Sequence, residues 1–163
     1  MASWWGSKAR QFRAHVRASV GPAERAGLEA WLTEPQLALF DGMHVADRRH
    51  GLDVVATLRR EGVTDPEVLL AGLLHDAGKG RTGVWPRVVY SLGQAYGSWV
   101  WRVGAVLPPV GSALARLRDH AEASASLARE AGCSPRTVEL IRHQEAPVDP
   151  EAGRLLQLAD EAN

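Results

Sequence analysis

The chain has 163 residues, of which 45% are hydrophobic, and its 19 basic side chains balance 19 acidic ones. That length suits one domain with a real hydrophobic core, and zero net charge argues against the electrostatic footprint of a duplex nucleic-acid binder. The single cysteine, Cys133, cannot close an intramolecular disulfide; it reads as a small residue ahead of a helix cap in a reducing, cytoplasmic protein.

The opening MASWWGSKARQF lacks an apolar run of signal-peptide length. Residues 8 to 18 read as a short basic amphipathic helix, and Trp4 with Trp5 offers contact to a membrane or partner, the plainer alternative being a leader folded back on the domain. His15, in that leader, has no partner spacing that makes it a ligand. Gly21-Pro22 breaks the chain, PAERAGLEAWL reads as a helix with Leu28 and Trp31 one turn apart, and Thr33-Glu34-Pro35 restarts it. QLALFDGM then brings Leu37, Leu39, Phe40 and Met43 to the core.

His44 stands at the entrance of the next helix, expected from about Val45 to Glu61, and reads as a locally hydrogen-bonded residue. That helix carries Asp47, Arg48, Arg49 and His50 in its first turns and an apolar face of Leu52, Val55 and Leu58. An arginine there suits bidentate contact with phosphate; the alternative for Arg49 is a surface ion pair with Asp47 or Asp53. Asp65-Pro66 is a cap followed by proline at the first helical position. The helix it launches is apolar nearly all round and runs into LLAGLLHDAGKG, where His75, Asp76 and Lys79 follow abruptly. Ionisable groups at the end of such a helix are costly to bury unless compensated, and a metal ion is an economical compensation; a hydrogen-bonded His–Asp pair without an ion is the alternative. Gly78 and Gly80 let the chain leave.

Val84 to Val110 is rich in tryptophan and holds an uncharged run of 14 residues, Val88 to Trp101. That run is short of the roughly 18 apolar residues a membrane-spanning helix requires. A buried or partner-facing hairpin is expected, compatible with a homodimer face; membrane-surface contact is not expected. Arg87, Tyr90, Trp99 and Arg102 are candidates to line a pocket mouth, against a plainer reading as core packing with exposed arginines.

The rest is helical. His120 opens HAEASASLAREAG, Ser134-Pro135 caps RTVELIRHQEA with Val138 and Ile141 on one side and His143 near its end, and Pro147 and Pro150 precede a last helix in which Leu156 and Asp160 lie one turn apart. No strand periodicity or repeat competes with an all-α, single-domain bundle.

His50, the His75-Asp76 doublet with its GK, His120, His143 and the late Asp160 in ADEAN resemble, in this order, the signature of the HD-domain superfamily of metal-dependent phosphohydrolases. The match runs from about Asp47 to Asn163, and divides the chain into an N-terminal helical leader, 1–42, packing on the core, and an HD domain, 43–163. The resemblance implies that His50, His75, Asp76 and Asp160 hold a first divalent ion, with Asp76 bridging to a second held by His120 and His143, as in the branch similar to the HD-GYP phosphodiesterases. The GYP-type sequence is absent, however, and Gln144 stands where that branch has a second adjacent histidine; glutamine is a poor transition-metal ligand, so the second site is one imidazole short. One or two ions therefore stay open, and the donor set suits Fe, Mn, Co, Ni or Zn without choosing among them.

The implied chemistry is hydrolysis of a phosphate ester of a small nucleotide or related metabolite by a metal-activated water, Asp76 and Lys79 being the catalytic candidates and Arg49 and Lys79 the phosphate contacts. The alternative is a catalytically weak nucleotide-binding or regulatory module of the same fold. A third reading is a structural or membrane-peripheral protein with no metal.

Overall fold

The computed structural model describes residues 18–80 and 119–163. Among these residues the chain is entirely α-helical, a single compact domain of seven α-helices and one short 3-10 turn with no strand. The helices are α1 (Pro22–Leu28), α2 (Glu34–Gly42), α3 (Val45–Arg60), α4 (Pro66–Leu74), α5 (His120–Glu130), α6 (Pro135–Arg142) and α7 (Ala152–Ala162); the 3-10 turn, Ala77–Lys79, follows α4.

The caps lie where the side-chain chemistry puts them. Asp65 accepts a hydrogen bond from the Glu67 amide (2.9 Å) with Pro66 at the first helical position, and Ser134 Oγ accepts from the Thr137 amide (3.2 Å) ahead of Pro135. His44 is itself a cap, its Nδ1 accepting from the Ala46 amide at 3.2 Å. Gly62 and Gly132, both at positive φ, close the turns after α3 and α5, where any other residue would be strained.

Helix α4 is the centre of the packing. Val68, Leu69, Ala71, Gly72, Leu73 and Leu74 are all buried, so α4 has core on nearly every side, and α3, α6 and α7 pack directly against it. Phe40, Val54, Leu58, Ile141 and Leu156 complete the same core, and Leu28 from α1 and Met43 after α2 belong to it as well. Leu37 and Leu39 are only partly buried. Helix α1 stops at Leu28 rather than continuing to Leu32; Trp31 lies in the following turn and carries the Arg59 guanidinium over its ring at 5.6 Å.

Two glycines let α3 and α4 approach each other. A Cβ on Gly51 would lie 2.5 Å from the Leu73 carbonyl oxygen, and one on Gly72 would lie 2.9 Å from Leu58 Cδ1 and 3.1 Å from Val54 Cγ1. The close crossing brings the residue before Gly51, His50, to the C-terminal end of α4. Among the described residues, no helix is long and apolar enough to cross a membrane. Trp4, Trp5, His15 and the tryptophan-rich segment 84–110, with Arg87, Tyr90, Trp99 and Arg102, lie outside the described residues.

Candidate metal centre

His75 caps the C-terminal end of α4, and its ring is fixed from behind. Nδ1 lies 2.9 Å from the Gly72 carbonyl oxygen, which can only accept, so Nδ1 carries the proton and Nε2 is aimed the other way. Nε2 points at Asp160 Oδ1 (3.4 Å) from α7 and at Asp76 Oδ1 (3.5 Å). His50 Nε2, from α3, meets the same Asp160 oxygen at 2.7 Å, and the two imidazoles stand edge to face with centroids 5.2 Å apart. One ligand atom each from His50, His75 and Asp160 thus fall within 4.8 Å of one another. Asn163 Nδ2 donates to Thr57 Oγ1 (3.0 Å), tying the end of α7 to α3 one turn beyond Asp160.

Asp76 lies beside this trio, 2% exposed, between α4 and the 3-10 turn. Oδ2 accepts from Lys79 Nζ at 2.6 Å; Oδ1 faces His75 Nε2 and, at 3.7 Å, His120 Nε2. His120 reaches it because the 3-10 turn rests on the start of α5. A Cβ on Gly78 would lie 2.5 Å from both the His120 carbonyl oxygen and the Ser124 amide nitrogen, and the Gly78 amide donates to Ser124 Oγ at 2.8 Å. Gly78 therefore serves close approach and Gly80, at φ +62°, serves the exit.

Whether this pocket fits a cation is answered by two atoms. His75 Nε2 and Asp76 Oδ1 are buried and have no hydrogen-bond partner. Orphaned buried polar atoms of this kind are rare and costly; one imidazole nitrogen and one carboxylate oxygen, facing each other beside His50 and Asp160, are a donor set that transition-metal ions accept. Without an ion the centre compensates itself by protonation. Burial opposes a charge on His75, but Asp76 and Asp160 outweigh it and push the imidazole up to about 9. Burial likewise opposes the negative charge of Asp76, yet His75, Lys79, His50 and His120 hold its carboxyl well below the usual range. For Asp160 burial is overridden by the hydrogen bond with His50 and by the positive charge of the His75 and His50 rings close by. Lys79 stays protonated, its burial outweighed first by Asp76 and then by Asp47 and Asp160.

The structure thus brings together His50, His75, Asp76, Asp160, His120 and Lys79. It does not bring His143 to them. Helix α6 ends at Arg142 with His143 as its C-cap; the His143 Nε2 lies 3.3 Å from Glu139 Oε2 and its side chain is 40% exposed. A surface groove of about 530 Å³ runs past it, lined by Leu140, Pro147 and Val148 among others and by none of the converging ligands. The inward place is taken by Gln144, buried, whose Nε2 donates to the His75 carbonyl oxygen at 3.2 Å. Gln144 is thus a support of the doublet rather than a ligand. Arg49 takes the ion-pair alternative: it binds Glu24 of α1 (2.6 Å) and Asp53 (2.9 Å). Cys133 is buried, 3.8 Å from Gln36 Nε2, and burial pushes its thiol up, away from nucleophile chemistry.

No family model, curated protein or solved structure matches the chain.

Proposed function

We propose that the chain is an HD-type metal-dependent phosphohydrolase that cleaves a phosphate ester of a small nucleotide or related metabolite. The observation that carries this reading is the pair of orphaned, buried atoms, His75 Nε2 and Asp76 Oδ1, next to the His50–Asp160 contact. Imidazole and carboxylate ligands from His50, His75, Asp160 and the adjacent Asp76 are a mixture that suits Fe, Mn, Co, Ni or Zn. A divalent ion held there supplies Lewis acidity, polarising a phosphoryl oxygen and lowering the pKa of water. The chain's own residues do the rest. Gly72 and Gln144 fix the His75 ring and backbone, Asp160 orients His50, and Lys79, partly exposed beside Asp76, presents a positive charge to an incoming phosphate. Arg49 contributes to phosphate binding only by exchanging one of its present carboxylate partners.

The test combines elemental analysis of protein purified without chelator with phosphomonoester, phosphodiester and nucleotide panels in each of the five metals. Bound metal and a hydrolytic activity that Asp76→Ala abolishes are expected. Inactivity across all panels with every metal sinks the enzymatic reading. A second reading, a nucleotide-binding or regulatory module, is favoured by one observation, the engagement of Arg49 by Glu24 and Asp53. It predicts a nucleotide that raises the melting temperature and is recovered intact.

A further inference from the structure

The two oxygens of Asp76 are committed unequally. Oδ1 is without a hydrogen-bond partner and faces the His75 and His120 imidazoles, while Oδ2 holds Lys79 Nζ at 2.6 Å. A carboxylate that bridges two ions offers one oxygen to each. Here one of the two already carries a cation belonging to the chain. The lysine is fixed locally, three residues on in the 3-10 turn, and the charges of Asp47 and Asp160 hold it there as well. The other groups on this flank are committed too, His143 to Glu139 and Gln144 to the His75 carbonyl.

Building on the metal centre proposed above, we infer that Lys79 supplies the second positive charge of the site as a fixed ammonium, so that the site takes one divalent ion and not two. The charge balance agrees. Asp47, Asp76 and Asp160 bring three negative charges, and one divalent ion with neutral imidazoles cancels them together with Lys79, which leaves no charge for a second divalent ion to balance. A second divalent ion has to expel Lys79 from a carboxylate that is 2% exposed, leaving an ammonium and two metal charges in one small volume. Lys79 also weakens the first ion, because it sits on the far oxygen of a ligand carboxylate.

The experiment is a titration of the full chain, freed of metal by chelation and dialysis, with Mn²⁺ and with Zn²⁺. It compares wild type with Lys79→Met, which keeps the stem and removes the charge, and is followed by calorimetry and by elemental analysis. Wild type is expected to saturate at one equivalent, and Lys79→Met to bind that ion about tenfold or more tighter once a neighbouring like charge is gone. Two equivalents in wild type, or an ion affinity in folded Lys79→Met that is unchanged or weaker, overturns the inference and leaves the metal centre standing. No ion in either protein overturns the metal centre itself. Should Lys79→Met fail to fold, the wild-type stoichiometry alone still decides between one ion and two.

Discussion

On one flank of the centre, α3, α4 and α7 bring His50, His75 and Asp160 within 4.8 Å of one another; on the other, α5 brings His120 to 3.7 Å from Asp76 while α6 turns His143 out to Glu139. The first flank is fixed by backbone approach, through Gly51 and Gly72, and by a ring hydrogen bond to a carbonyl. The second is fixed by Gly78 on α5 and by Gln144 on the His75 carbonyl. Imidazoles alone do not make a ligand set; what decides is whether a backbone comes close enough to aim them.

The sharpest way to break the second flank is Gly78→Ala. The added Cβ meets two backbone atoms at 2.5 Å, neither of which can move without displacing α5, so a loss of about 3 kcal/mol or more is expected, at the top of the overpacking range. A denaturant melt checks it. Next comes the contrast between flanks. Asp160→Asn removes the oxygen charge shared by His50 and His75 and is expected to reduce bound metal at least about a hundredfold in affinity, whereas His143→Ala leaves metal content unchanged; a first-flank ligand and a bystander differ in this way. Elemental analysis and a metal titration read both. Gln144→Leu leaves the His75 carbonyl buried without its donor, at a cost of about 1–3 kcal/mol, measured as a shift of the denaturant midpoint.

The pH dependence follows from His75. Its folded value of about 9 lies above the unfolded 6.5, so the stability contributed by the imidazolium is fully present below pH 6.5 and is lost as pH rises to 9. Metal-free protein is expected to melt at progressively lower temperature across that window. An ion requires the neutral ring, so the rise in melting temperature on adding metal grows over the same window; parallel melting curves with and without metal would count against His75 as a ligand. The smallest effect is the control for the glycine argument. Gly27, exposed in α1, has nothing within 4 Å of an added Cβ, and Gly27→Ala is expected to stabilise by about 0.5–1 kcal/mol through helix propensity alone.

Much of this architecture is written locally. Asp65-Pro66 and Ser134-Pro135 announce their helices because a cap and a first-turn proline act within a few residues, and the apolar circumference of α4 identifies it as the central helix. The convergence of His50, His75 and Asp160 is what the resemblance to the HD-domain signature implies; their order and their places on separate helices alone leave it open. Other features are invisible at that range. Gly51 carries no signal, and Gly78 reads as an exit glycine, until the backbone opposite them is known, and the partner Glu24 that engages Arg49 lies 25 residues away. His143 and Gln144 are adjacent at the end of α6, and only the fold shows that Gln144 is the buried one of the two while His143 turns to Glu139.

The His50–Asp160 contact closes a loop of 110 residues. Contacts of such span carry a larger chain-closure cost than local ones. An incompletely folded chain that has assembled only α3 and α4 holds two imidazoles and a carboxylate without the aspartate that joins them. An ion at the proposed centre would therefore be held in full only once the last helix has docked, and its binding would report that α3, α4 and α7 have come together.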